Sequence, residues 1–222
     1  MSGPRQDELV FATSNTIKTD VRFKTKHRYG KVKRFFVSFV PNRGYRRKIK
    51  KSRKMVTQSE VDIEGWEGVC AAMSGMYLQK SHELGNVTRA DHISDTFKLG
   101  IAQCAFEKTR DKGYSYSERR ERLLDSFQLN VIDSGIEVTL FDVMQQVYDT
   151  PGRYMVALRY ESGGGHMIAL RNAGGPCFYF DPDQGLYRFA SRDRFWEAVW
   201  TDFLGSDLTE GSTSSWWLTQ LQ

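Results

Sequence analysis

Beyond Thr57 the apolar residues fall into a regular order. Val69, Met73, Met76 and Tyr77 recur at helical spacing, and Gly85-Asn86 ends the run, which predicts a helix over 69–84. A second helix is expected from Asp91 to Lys108, with Ile93, Phe97, Ile101, Ala102 and Ala105 on its apolar side. A short charged helix follows from Ser117 to Phe127, and another from Leu140 to Tyr148, with Phe141, Met144 and Val147 in register. The pattern then changes from helical spacing to apolar runs between glycine turns. Gly152 opens the strand Arg153–Tyr160, and Ser162-Gly163-Gly164-Gly165 turns it into a strand over His166–Leu170. A third strand spans Cys177–Asp181, and Gly185 turns the chain into Leu186–Phe189. Ser191 caps a helix running through Phe203, and Trp216-Trp217-Leu218 closes as a strand. Helices first and hairpin-linked strands afterwards predict an α+β domain over 59–222.

Residues 1–58 read differently, as a basic and partly flexible arm. The first 60 residues hold 17 Lys or Arg against 4 Asp or Glu, and the other 162 hold 15 against 23, so the net charge of +5 joins a basic arm to an acidic domain. The densest part, Arg43–Lys54, has almost nothing apolar to bury and suits a solvated lead. It also suits an anionic membrane surface or an acidic partner protein. Tyr29, Phe35, Phe36, Phe39 and Tyr45 interleave with the charges as base-stacking residues would. Arg34–Val40 reads better as a strand ended by Pro41-Asn42, however, so nucleic acid is the weaker match.

Length and composition narrow the setting. A chain of 222 residues, 40% hydrophobic and 13% aromatic, holds one sizeable core. No apolar run approaches the roughly 20 residues of a membrane-spanning helix. The stretch after Arg5 lacks the apolar core of a Sec signal peptide, and Ser2 stands where myristoylation requires glycine. Cys70, Cys104 and Cys177 fit neither a closed disulfide set nor a zinc spacing, which points to a reducing compartment.

Three residues carry candidate chemistry. Cys70 follows the glycine-bearing turn Glu64-Gly65-Trp66-Glu67-Gly68-Val69 and stands at the expected helix start. There the unpaired N–H groups and the helix dipole favour a thiolate, the nucleophilic form of a thiol whose ordinary pKa is roughly 8.5. His166 follows three glycines and opens an apolar strand. Asp181 ends the aromatic strand before Pro182, placed to orient an imidazole and stabilise its charged form. Taken singly, each residue has an ordinary structural reading: a small buried hydrophobe, a core or surface histidine, a turn-opening Asp-Pro. Taken together and in this order, they read as a nucleophile, a base and an orienting carboxylate.

These contexts resemble the papain-like cysteine peptidases, and within them the YopT-like bacterial effector peptidases. The resemblance rests on Gly68-Val69-Cys70, on Gly165-His166-Met167 and on Tyr179-Phe180-Asp181-Pro182-Asp183-Gln184-Gly185, scattered over about residues 60–222. It implies a papain-like α+β fold in which a helical part carries the nucleophile and an antiparallel sheet carries His166 and Asp181. It also implies a thiol protease with a Cys70-His166-Asp181 triad, needing no metal and no organic cofactor. The implied setting is a virulence effector, secreted by a non-Sec route, that acts on a protein substrate in the reducing cytoplasm of a host or target cell. Papain-like enzymes place a Gln six residues before the nucleophile as an oxyanion donor, whereas this chain has Glu64. An ionised Glu only accepts hydrogen bonds, so a protonated Glu64, the Trp66 indole or the Cys70 backbone N–H is expected to serve instead. Gly68, Gly164 and Gly165 are the expected cleft-lining glycines. Two other functions fit: a protein-glutamine deamidase or transglutaminase using the same triad, and a binding module acting through the basic arm.

Overall fold

The apolar runs in the second half of the chain become the middle strands of one antiparallel sheet with both faces covered. The computed structural model describes residues 8–12, 69–93, 95–133, 137–160, 165–203 and 213–222. The expected strand over 34–40 and the basic stretch 43–54 lie outside the described residues, as do Glu64, Trp66, Gly68 and Gly164. The strands are β1 (Leu9–Ala12), β2 (Val131–Asp133), β3 (Glu137–Val138), β4 (Gly152–Tyr160), β5 (Gly165–Asn172), β6 (Cys177–Asp181), β7 (Gly185–Phe189) and β8 (Thr213–Leu221). They lie in the order β1-β7-β6-β5-β4-β8-β2, with β3 also on β8. The helices are α1 (Cys70–Leu84), α2 (Thr96–Asp111), α3 (Tyr116–Ser126), α4 (Leu140–Asp149) and α5 (Arg192–Ala198).

Alternation along the strands feeds two cores. Met155, Ala157, Met167, Ala169, Phe178 and Phe180 pack with α1, α2 and α3 on one face. Tyr154, Val156, Leu158, Ile168, Leu170, Cys177 and Tyr179 pack with α4 and α5 on the other. Because neighbours in sequence are both buried, these strands read as continuous apolar runs and show no polar alternation. Tyr77 of α1 stacks on Phe180 of β6, with ring centroids 4.8 Å apart, and seats the helix on the sheet.

Local chemistry sets the helix ends. Ser115 with Glu118 and Thr139 with Asp142 form reciprocal capping boxes that start α3 and α4. Ser191 caps α5 by accepting from the Arg194 amide. The helix expected from Asp91 divides in two. A 3₁₀ turn covers Ala90–Ile93, and α2 begins afresh at Thr96, because the Asp95 side chain accepts from the Lys98 amide and caps a new start. The last helix loosens into a π-type turn over Val199–Phe203. Among the described residues no helix is long and apolar enough to cross a membrane.

The sheet also takes in residues that read from sequence as arm. Strand β1 pairs with β7, Phe11 opposite Leu186 and Ala12 opposite Gly185. Gly185 has φ +133°, and a Cβ there would strike the Phe11 carbonyl, so only glycine allows this approach. Glu8 anchors the strand by accepting from Arg194 Nε at 2.8 Å and Nη2 at 3.0 Å, with both side chains mostly buried. Arg194→Ala removes both mostly buried hydrogen bonds to Glu8, and with them an exposed one to Glu197. We expect it to lower stability by about 2 kcal/mol, measured as the shift of the urea unfolding midpoint.

Candidate active site

Three elements bring the candidate residues to one end of the sheet. Cys70 is the first residue of α1 and is half-buried. Val69 precedes it with non-helical dihedrals and no side-chain cap, since a valine has nothing to offer the orphan amides of the first turn. His166 is the second residue of β5, and Asp181 is the last of β6. The distance between them in sequence is closed by the turn at 173–176, which lets β5 and β6 pair from Asn172↔Cys177 to Ala169↔Phe180.

His166 joins the other two. Its Nε2 stands 3.0 Å from Asp181 Oδ1, and the Cys70 side chain is among the groups that act electrostatically on its ring. Nε2 is engaged by the carboxylate, which leaves Nδ1 as the atom for the sulfur. Burial opposes a charge on His166. The hydrogen bond to Asp181 and the nearby Cys70 side chain, with the charges of both, outweigh it and push the imidazole pKa up to about 11. For Asp181 burial again opposes the charge, and the hydrogen bond and charge of His166 overcome it. The Asp183 amide and the Tyr179 hydroxyl help to hold the carboxyl below its usual range. Asp181 Oδ1 accepts from the Asp183 amide at 2.8 Å, and its Oδ2 accepts from Tyr179 Oη at 3.1 Å. Both shifts favour the imidazolium–carboxylate ion pair.

That charge state has a consequence for stability. A group whose pKa rises on folding binds protons that the unfolded chain releases, so its contribution is complete below the unfolded value near 6.5 and fades as pH climbs towards 11. Asp181 works in the opposite sense, and its contribution fades as pH falls below the ordinary aspartate range. Urea denaturation should therefore show the stability advantage of the wild type over a His166→Gln variant to be greatest near pH 5–6, declining steadily towards pH 10.

Other groups at this end were not foreseen from sequence. Asp183 Oδ2 lies 4.0 Å from His166 Nδ1, giving the imidazolium a second, half-exposed carboxylate. His166, Asp181 and Asp183 bring one ligand atom each within 4.8 Å of one another, the only such grouping among the described residues. Two of the three already spend those atoms on each other, an arrangement for holding a proton. Tyr116 packs against Phe106 and Trp217 beside Cys70, whose charge is felt at its phenol. Gly165, expected to line the cleft, is exposed, and a Cβ there would collide with the Leu158 carbonyl of β4. Its missing side chain is thus required by strand pairing. Tyr179 and Asp183 carried a signal only as part of the motif around Asp181.

Cys177 provides a contrast within the same chain. It is fully buried in the second core, where desolvation pushes its thiol up to about 11 despite Arg192 nearby. A thiol held in that way is inert.

No protein-family model matches the chain, and no curated protein matches it. Among solved structures, the avirulence protein AvrPphB of Pseudomonas is similar over 69% of this chain and 91% of its own, with a TM-score of 0.58 and 14% sequence identity. At that identity the likeness is one of fold, and the fold shared by the two chains is papain-like α+β.

Proposed function

We propose that the chain is a cysteine peptidase of the effector type, cleaving a protein substrate through Cys70, His166 and Asp181. The observation that carries this reading is the imidazole of His166, hydrogen-bonded to a buried carboxylate and close enough to the Cys70 side chain to feel its charge. In the proposed reaction the Cys70 thiolate attacks the scissile carbonyl carbon, and electrons move onto its oxygen. As the C–N bond breaks, His166 gives its proton to the departing amine and leaves a thioester on Cys70. His166 then takes a proton from water, whose oxygen attacks the thioester and frees the thiol and the new carboxylate. Asp181 keeps the ring oriented throughout and balances its charge.

The oxyanion needs donors at the start of α1. The Ala72 amide is engaged by Gln103 Oε1 at 3.0 Å, so the Cys70 and Ala71 amides are the backbone candidates in this turn. Glu64 and Trp66, six and four positions ahead of Cys70, remain the side-chain candidates. The likeness to an avirulence protein supports an effector role. Delivery into another cell by a non-Sec route, and action in a reducing cytoplasm, complete the proposal. The stretch 43–54 would serve there as a contact for an anionic membrane surface or an acidic partner.

The test is which cysteine reacts. Substoichiometric iodoacetamide at pH 6, followed by peptide mapping, should label Cys70 far ahead of Cys104 and Cys177. Preferential labelling of either of the others would overturn the assignment. A deamidase would share this labelling, because it uses the same triad on a side-chain amide. Intact mass separates the two: new termini that vanish in Cys70→Ala mean proteolysis, whereas a gain of about one dalton on uncut protein means deamidation.

A further inference from the structure

We propose that Ser74 is a positioning residue that sets the separation of Cys70 and His166, an inference that rests on the peptidase reading above. Ser74 lies one turn after Cys70 on α1 and is completely buried. Its hydroxyl donates to the Met167 carbonyl at 2.9 Å, and Met167 directly follows His166. A serine inside a helix ordinarily bonds back to a carbonyl of its own helix. Ser81, equally buried on α1, does so, donating to the Leu78 carbonyl at 2.8 Å. Ser74 instead reaches across to the strand that carries the base.

Met167 stands opposite Ala157 of β4 on one side and has no β6 rung on the other. The pairing of β5 with β6 ends at Ala169↔Phe180, and the chain of β6 then turns at Pro182, which has no N–H to give. Met167 lies past that last rung. Buried backbone oxygens require a partner, and here a side chain of the nucleophile helix supplies it. Apolar packing, such as Tyr77 on Phe180, tolerates small slides between helix and sheet. A directional bond one turn from the sulfur does not.

The same turn is held from its other side. Gln103, buried on α2, accepts from the Ala72 amide, its Nε2 donates to Glu107 Oε1 at 3.1 Å, and Glu107 faces Arg119 at 3.7 Å. It performs the capping that Val69 cannot. The first turn of α1 is thus fixed between Gln103 towards α2 and Ser74 towards β5.

Ser74→Ala, Ser74→Thr and the control Ser81→Ala, made in the full chain, separate positioning from plain stability. The readout is the rate at which iodoacetamide labels Cys70 at pH 6, relative to pH 9, together with the urea midpoint. A positioning role predicts that Ser74→Ala lowers the pH 6 rate about tenfold while the pH 9 rate holds, because a misplaced imidazolium no longer supports the thiolate. Ser81→Ala should lose comparable stability at an unchanged rate, and Ser74→Thr, which keeps the donor, should label within about threefold of wild type. A folded Ser74→Ala protein with the wild-type rate ratio overturns the proposal. So does a Ser74→Thr protein of wild-type stability that labels as slowly as Ser74→Ala. Slow labelling of Cys70 in the wild type itself would instead sink the peptidase reading on which this one stands.

Discussion

A His166→Ala protein will fold, will label at Cys70 no faster than an ordinary thiol at pH 6, and will lose the proposed peptidase activity by roughly 10³-fold or more. Folding survives because Asp181, the group most exposed to the loss, keeps two donors, the Asp183 amide and the Tyr179 hydroxyl. Reactivity does not survive, because in the proposed reaction the imidazole supplies two things that no other described residue at this end of the sheet can. It carries the positive charge beside the sulfur, and it is the proton donor for the departing amine. Asp183 is an acceptor in the wrong charge state, and the Tyr116 phenol is held well above neutrality by burial, with Arg120 only partly offsetting it. Alkylation kinetics and release of new termini measure the two roles separately. A variant that keeps fast labelling at pH 6 would show that the dipole of α1 alone activates Cys70.

Much of this site was legible in the sequence because its residues mark boundaries. A helix start, a strand start and a strand end are all advertised by glycine, proline and a change of apolar period, and those are where Cys70, His166 and Asp181 stand. The α+β order of elements followed from the same boundaries, and the papain-like arrangement from the resemblance that their motifs carry. Residues that work through tertiary contacts left no such mark. Ser74 and Met167 are 93 positions apart, and Ala72 and Gln103 are 31 apart, so no local pattern announces either bond. The short edge strands were missed for a related reason. Leu9–Ala12, Val131–Asp133 and Glu137–Val138 are too brief to show a period, and each is defined by the strand it pairs with. The break before α2 had a local signal that the apolar spacing outweighed: Asp95 followed three residues later by Lys98, whose amide it caps.

Cys70→Ala is the sharpest division between an enzyme and a binding module, because it separates chemistry from fold. The sulfur is half-buried at the first position of α1, where alanine is a good helix former and loses only a small packed group. The fold around it is held by other contacts: Ser74 to Met167, Gln103 to Ala72, and Tyr77 against Phe180. The urea midpoint should therefore move by less than the equivalent of about 1 kcal/mol, within the range of mild core truncations. Activity should fall to the level of the uncatalysed reaction, since alanine offers no atom to carry the acyl group. In cells the same variant should lose the effect of the wild type, while reversing charges within 43–54 should weaken it only by displacing the enzyme from its target. The opposite pattern, full effect from Cys70→Ala and none from the charge-reversed arm, would make the triad incidental and residues 43–54 the functional element.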